Sequence, residues 1–104
     1  MQNNAVSARF LPLFSCETTT ENAIARGNKI VAALGKTDAV ILGMGSDGHT
    51  ASLFPRARDL SLGLNPNLDQ HCISISPSTA LYDRLTLTLP ALLNTAHLFL
   101  HFYG

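Results

Sequence analysis

The sequence is poor in charge and in cysteine, and each shortage excludes a class of protein. Only 13% of its 104 residues are charged, the formal net charge is zero, and no run of Lys or Arg occurs. Nucleic-acid and anionic-membrane binders need a concentrated positive patch, so we expect neither partner. The two cysteines, Cys16 and Cys72, are too few for a disulfide scaffold or a cysteine zinc site. Buried thiols in a reducing, cytoplasmic compartment are expected instead.

Long apolar runs are also missing. No segment approaches the roughly 20 residues needed to span a bilayer, and residues 1–4 carry no basic signal region. The hydrophobic fraction is nevertheless 46%, which indicates a folded chain, and the length corresponds to one small domain over residues 1–104. A small-molecule partner is therefore the expected one.

Hydrophobic periodicity predicts alternating helices and strands, the pattern of an α/β fold. A capping-box spacing at Thr18–Glu21 begins an amphipathic helix that Gly35 ends. The apolar run Asp38–Gly43 is typical of a parallel strand covered by helices on both faces. Three further strands, a short helix and a mostly irregular connection follow. The strands are His71–Ser76, Arg84–Leu89 and His97–Tyr103, the helix begins at Pro90 and continues through Ala91–Asn94, and the connection is Arg56–Gln70.

Two of these segments carry more specific expectations. Arg9–Phe14 is apolar but contains Pro12, which allows an edge strand or an extended segment and argues against a central strand. In Arg84–Leu89, Thr86 and Thr88 face opposite to the leucines, so we expect a half-exposed strand.

The segment Gly43–Pro55, GMGSDGHTASLFP, carries the most chemistry, and its residues alone allow more than one interpretation. Its glycines satisfy the G-x-G-x-x-G pattern of dinucleotide-binding folds. That pattern also needs a full helix after the third glycine and an acidic residue ending the next strand, whereas Pro55 interrupts the segment and Asp69 precedes its strand. A purely structural alternative is a tight turn in which Asp47 caps a helical turn near His49.

The whole string resembles the signature of the 6-phosphogluconolactonases. Asp83–Asn94 followed by His97–Gly104 is similar to the family's next characteristic stretch, and the resemblance extends from about Phe10 to Gly104. It implies a partial doubly wound, largely parallel Rossmann-like sheet of the glucosamine-6-phosphate deaminase and ribose-5-phosphate isomerase type. It also implies hydrolysis of 6-phospho-D-glucono-1,5-lactone to 6-phosphogluconate in the oxidative pentose phosphate pathway, without a cofactor.

One residue separates this resemblance from the deaminases, whose equivalent loop also contains Gly-x-Gly-x-Asp-Gly-His. In the deaminases a glutamate that assists ring opening precedes the closing proline, whereas Phe54 precedes Pro55 here. A phenyl ring cannot transfer protons, so deaminase activity is the weaker alternative.

His49 is the predicted general base, because histidine titrates near neutral pH and the resemblance implies the same role. Asp47 has two equally weighted interpretations: it orients the His49 imidazole or contacts a sugar hydroxyl, or it binds the backbone of the turn. The backbone N–H groups of Gly45, Ser46 and Gly48 are candidate donors to the carbonyl oxygen of the substrate.

Arg84 is the candidate for the substrate phosphate, because a guanidinium matches phosphate bidentately, and a solvated surface arginine is the alternative. His97 and His101 share a strand face but lack a third ligand, so no metal site is expected.

The resemblance corresponds only to a later portion of the family's length, so we expect the chain to be incomplete. Family members carry, outside this portion, a Gly-Gly-Ser-type phosphate loop, other charged site residues and a lysine-containing segment. If the 104 residues were the entire polypeptide, we would expect a poor or inactive catalyst. The non-enzymatic alternative is a truncated fragment that self-associates through uncovered strand edges.

Overall fold

The first helix begins and ends close to its predicted bounds. In this computed structural model, which describes residues 7–13, 19–77 and 82–102, α1 spans Thr20–Leu34. The Thr19 hydroxyl caps it by accepting the Asn22 N–H at 3.1 Å. Gly35 follows with a φ of 64°, so the predicted end of the helix is confirmed. Thr18, the first residue of the predicted capping box, lies outside the described residues.

The predicted parallel strand is present, but its surroundings differ from the expectation. β1, Thr37–Gly43, pairs in parallel with β4, Thr95–His101, as the only neighbour of β1 within the described residues. Ile41 is 74% exposed and Phe99 is 54% exposed, so one face of the pair is open. The expectation of helices on both faces is wrong for the described part of the chain, because no described element packs against this face.

The remaining elements follow the predicted order. β2, Cys72–Ile75, pairs antiparallel with β3, Arg84–Leu87, and the connection before β2 contains one helical turn, α2, Leu60–Gly63. α3, Leu89–Leu93, has its proline in the first turn as expected. The α/β class with a parallel sheet is confirmed.

Two smaller expectations have different outcomes. Residues 7–13 form no strand, and Phe14 and Cys16 lie outside the described residues. Cys72 is fully buried, and burial raises the pKa of its thiol. No helix in the described ranges is long and apolar enough to cross a membrane.

The exposed face predicted for the third strand is wrong. Thr86 is 2% exposed and Thr88 is fully buried. The Thr88 hydroxyl donates to the carbonyl oxygen of Gln70 at 2.8 Å, and the Thr86 hydroxyl oxygen accepts the N–H of Ser52 at 3.1 Å. Both threonines are therefore interior residues. The two hydrogen bonds satisfy their buried hydroxyl groups.

The hydrophobic core includes the second half of the loop that follows β1. Leu53 and Ala57 from this loop are buried together with Ile75 and Leu92. Phe54 and four other partly buried apolar side chains pack around them. The loop is consequently fixed at its carboxyl-terminal side by core packing and by the Ser52–Thr86 hydrogen bond.

Candidate active site

The glycine-rich loop leaves the sheet at the carboxyl end of a parallel strand. Gly43 ends β1, and its register partner His101 ends β4, so both carboxyl ends lie at the same edge. Ligands of open α/β sheets bind in the crevice outside the carboxyl ends of the strands. The loop therefore lies where this class of fold builds its binding sites.

Internal hydrogen bonds give the loop its shape. The Gly45 N–H donates to the His49 carbonyl at 2.9 Å, and the Gly48 N–H donates to the Gly45 carbonyl at 3.0 Å. Gly48 has a φ of 88°, a conformation that L side chains rarely adopt. Residues 44–59, all of them described, contain no helix. This backbone matches neither a dinucleotide loop that leads into a helix nor a helical turn capped by Asp47.

Asp47 and His49 form a hydrogen-bonded pair inside the loop. Asp47 Oδ1 lies 2.5 Å from His49 Nδ1 and also accepts the His49 backbone N–H at 3.1 Å. Asp47 thus binds the backbone of the turn and orients the imidazole at the same time, which combines the two interpretations of its role. The hydrogen bond from the His49 side chain, followed by that from its backbone, lowers the pKa of the Asp47 carboxyl below the ordinary value of 3.8.

The pairing leaves one ring nitrogen of His49 available. With an ionised carboxylate against Nδ1, the proton of a neutral imidazole resides on Nδ1, and Nε2 carries the lone pair. The His49 side chain is 32% exposed, so the imidazole is partly open to solvent. An Nε2 lone pair oriented by a carboxylate on the opposite nitrogen is the arrangement of a general base.

The three candidate backbone donors are not equivalent. The N–H groups of Gly45 and Gly48 already donate to carbonyls of the loop. The Ser46 N–H has no hydrogen-bond partner within the described part of the chain. Gly45 instead allows the His49 ring to approach the backbone closely. A Cβ added at Gly45 would overlap His49 Cε1 and Nδ1 and lie 3.0 Å from Asp47 Oδ1.

Phe54 connects the loop histidine with Arg84. The His49 and Phe54 rings stack with centroids 4.4 Å apart and an interplanar angle of 27°. Arg84 is the first residue of β3, and its guanidinium carbon lies 6.0 Å from the Phe54 ring centroid. The imidazole and the guanidinium are thus separated by at most the sum of these two distances. The structure brings together two residues that lie far apart in the sequence.

Two of the other histidines, His71 and His97, lie away from the loop, whereas His101 ends β4 beside Gly43. His71 lines a crevice of about 200 Å³ near the start of β1, away from the loop. His97 stacks loosely on Phe99 along exposed β4, with centroids 6.3 Å apart. Within the described residues, no group of three His, Cys, Asp or Glu side chains could hold a metal ion.

Comparison with known proteins gives one consistent family. The model of the glucosamine-6-phosphate isomerases/6-phosphogluconolactonase family matches residues 1–104. The 6-phosphogluconolactonase of Mesorhizobium japonicum is 40% identical over 105 residues, which cover 100% of this chain and 44% of that protein. That of Helicobacter pylori strain 26695 is 38% identical over 104 residues, with 44% of its length covered.

A solved structure agrees with these relatives. The crystal structure of a 6-phosphogluconolactonase from Shewanella baltica superimposes with a TM-score of 0.86 at 35% identity, covering 99% of this chain and 44% of that one. The chain thus spans less than half the length of the relatives it matches.

Proposed function

The chain belongs to the glucosamine-6-phosphate isomerase/6-phosphogluconolactonase family, and from this premise we propose that it contributes the catalytic loop for hydrolysis of 6-phospho-D-glucono-1,5-lactone to 6-phosphogluconate. The observation that carries the proposal is the Asp47–His49 pair at the carboxyl end of β1, with Arg84 nearby. Water and a sugar-phosphate lactone are the reactants, and no cofactor takes part.

His49 is the proposed general base. Its Nε2 takes a proton from a water molecule as the water oxygen bonds to the lactone carbonyl carbon. When the bond from that carbon to the ring oxygen breaks, Nε2 returns the proton to the departing oxygen. Asp47 keeps the imidazole in the tautomer that this cycle needs, since its ionised carboxylate accepts the hydrogen bond from Nδ1.

Negative charge on the carbonyl oxygen needs a donor in the tetrahedral intermediate. The Ser46 N–H is the proposed donor, because the described residues offer it no other partner. The predicted roles of Gly45 and Gly48 become roles in shaping the loop, since their N–H groups are engaged and Gly45 allows the imidazole to approach.

Arg84 is the proposed phosphate ligand. It is exposed, and its guanidinium lies near the Phe54 ring without a hydrogen bond or ion pair to the described residues. Such a group can offer its N–H pairs to two phosphate oxygens. In a hexono-1,5-lactone 6-phosphate the carbonyl carbon and the carbon that carries the phosphate arm both flank the ring oxygen, which agrees with a base and a cation that lie next to the same phenyl ring.

Two alternatives differ in substrate or in activity. Deaminase chemistry is the weaker one, because the ring that stacks on His49 occupies the position before Pro55 and cannot transfer a proton. An inactive fragment is the non-enzymatic alternative, in which this chain alone lacks the rest of the substrate pocket. The free, buried Cys72 supports a cytoplasmic location for either form.

The test uses an exchange enzyme, defined as the Mesorhizobium japonicum 6-phosphogluconolactonase whose matched segment is replaced by these 104 residues. We expect lactone turnover of roughly 1 to 1,000 per second and no release of ammonia from glucosamine 6-phosphate. Production of 6-phosphogluconate is followed with a dehydrogenase-coupled assay and corrected for spontaneous lactone hydrolysis. A folded exchange enzyme with no turnover above the spontaneous rate contradicts the proposal.

The phosphate role has its own variant pair. Arg84→Ala should raise KM about tenfold or more, the effect of losing hydrogen bonds to a charged group, with a smaller change in kcat. Arg58→Ala removes another exposed arginine and serves as the control. Equal KM values for the two variants would leave Arg84 as a solvated surface residue.

A further inference from the structure

Phe54 lies between the proposed base, His49, and the proposed phosphate ligand, Arg84. His49 stacks on one part of the ring, and the Arg84 guanidinium lies 6.0 Å from its centroid. A stacked aromatic pair and a cation near an aromatic face are both attractive. Phe54 is thus in direct contact with the proposed base and close to the proposed phosphate ligand.

The ring is held firmly enough to act as a reference point. Phe54 is half-buried and packs against the core cluster of Leu53, Ala57, Ile75 and Leu92. The preceding turn is closed by the Leu53 N–H, which donates to the Thr50 carbonyl at 2.9 Å. Packing against the core restricts the rotamers of Phe54, whereas the exposed Arg84 is less restricted.

A hydrogen bond fixes the loop against the strand that carries Arg84. The Ser52 N–H donates at 3.1 Å to the hydroxyl of Thr86, a buried residue of β3. Ser52 lies two residues before Phe54, and Thr86 lies two residues after Arg84. This connection sets the register of the loop on the strand, so the separation of ring and guanidinium does not depend on the weak cation–π attraction alone.

From these contacts we propose that Phe54 is a positioning residue that sets both the orientation of the His49 imidazole and its separation from Arg84. The separation then selects lactones whose phosphate lies at the matching distance from the reacting carbonyl. The kinetic part of this inference rests on the lactonase activity proposed above. Its structural part concerns only the 104-residue chain.

The structural part is tested by NMR on the chain itself. A stacked phenyl ring shifts the His49 ring protons upfield, and we expect Overhauser contacts between the His49 and Phe54 rings. Phe54→Leu should remove the upfield shift, whereas Phe54→Tyr, which keeps the ring, should retain it. Phe99→Leu removes the exposed ring beside His97 and is the control. Absent ring-to-ring contacts in the parent chain would overturn the inference, whether or not Phe54→Leu folds.

The kinetic part is tested in the exchange enzyme with two substrates. Phe54→Leu should lower kcat for 6-phosphogluconolactone by up to about 100-fold, the cost of a misplaced catalytic group, and raise its KM. Glucono-1,5-lactone lacks the phosphate, so Phe54→Leu should affect it through kcat alone and reduce the preference for the phosphorylated substrate. Phe54→Tyr, which keeps the ring, should retain the kcat and the substrate preference of the parent. Phe99→Leu should change neither.

The outcomes separate the two proposals. Unchanged kcat, KM and preference in a folded Phe54→Leu exchange enzyme would overturn the positioning role. A parent exchange enzyme that is folded but inactive would instead refute the lactonase proposal, and the NMR contacts of the chain would still decide whether Phe54 positions His49.

Discussion

Alanine at position 45 is the sharpest perturbation of the candidate base. A Cβ there would overlap two atoms of the His49 ring and lie 3.0 Å from Asp47 Oδ1. The backbone of Gly45 has no positive φ, so alanine itself is tolerated at this position. The imidazole and the carboxylate are both partly exposed, which means that they move before the backbone does.

The expected effect falls on activity rather than on folding. Displacing the imidazole breaks its contacts with Asp47 Oδ1 and with Phe54, and a catalytic group misplaced by about 1 Å costs up to about 100-fold in rate. We therefore expect Gly45→Ala to lower kcat of the exchange enzyme by up to that factor. Its thermal unfolding midpoint should fall only slightly, because the broken contacts involve partly exposed side chains and no buried side chain is disturbed.

Gly43→Ala is the matched control, because a Cβ at that position has no heavy atom within 4 Å. The coupled lactonase assay and a thermal melt are run on both variants. A kcat for Gly45→Ala within about threefold of the Gly43→Ala value, less than about 1 kcal/mol of transition-state stabilisation, would refute the positioning argument.

Three further predictions follow from the same structure. Thr86→Val should destabilise the chain by about 1 to 3 kcal/mol in chemical denaturation, because it leaves the Ser52 N–H without its partner, whereas Thr37→Val at a half-exposed site should cost less. The hydrogen bond from His49 lowers the pKa of Asp47, so the parent should be more stable than Asp47→Asn above pH 3.8. This difference in melting midpoint should shrink as the pH falls through the lowered pKa. A difference that grows in acid would contradict the prediction. The chain alone should turn over lactone at least about 100-fold more slowly than the exchange enzyme and should self-associate in size-exclusion chromatography; a monomer of equal activity would refute both expectations.

The helices and strands were largely predictable, because they depend on local patterns. A capping residue, an apolar period and a glycine with positive φ define α1 in the sequence as in the structure. Alternation along β3 also separated its two faces correctly. It could not tell which face is interior, because that depends on Ser52 and Gln70, distant partners that satisfy the threonine hydroxyls. The openness of the β1–β4 face was equally beyond local patterns.

The residues of the candidate site were predictable from the sequence, but the contact of Phe54 with His49 and Arg84 was not. His49 and Asp47 lie two residues apart in a glycine loop, so their pairing follows from local geometry. Arg84 could be suggested only from the family resemblance. The stacking of Phe54 on His49 could not be predicted, since a histidine and an aromatic residue in an irregular loop have no periodicity that indicates such a contact.

The role of His49 as general base is tested by one measurement. The measurement is kcat of the exchange enzyme carrying His49→Ala, compared with His97→Ala, which removes an exposed histidine of β4. We predict a loss of about 100-fold or more for His49→Ala, the range for a general base, and parent-like kcat for His97→Ala. A folded His49→Ala enzyme with parent-like kcat would contradict the central claim.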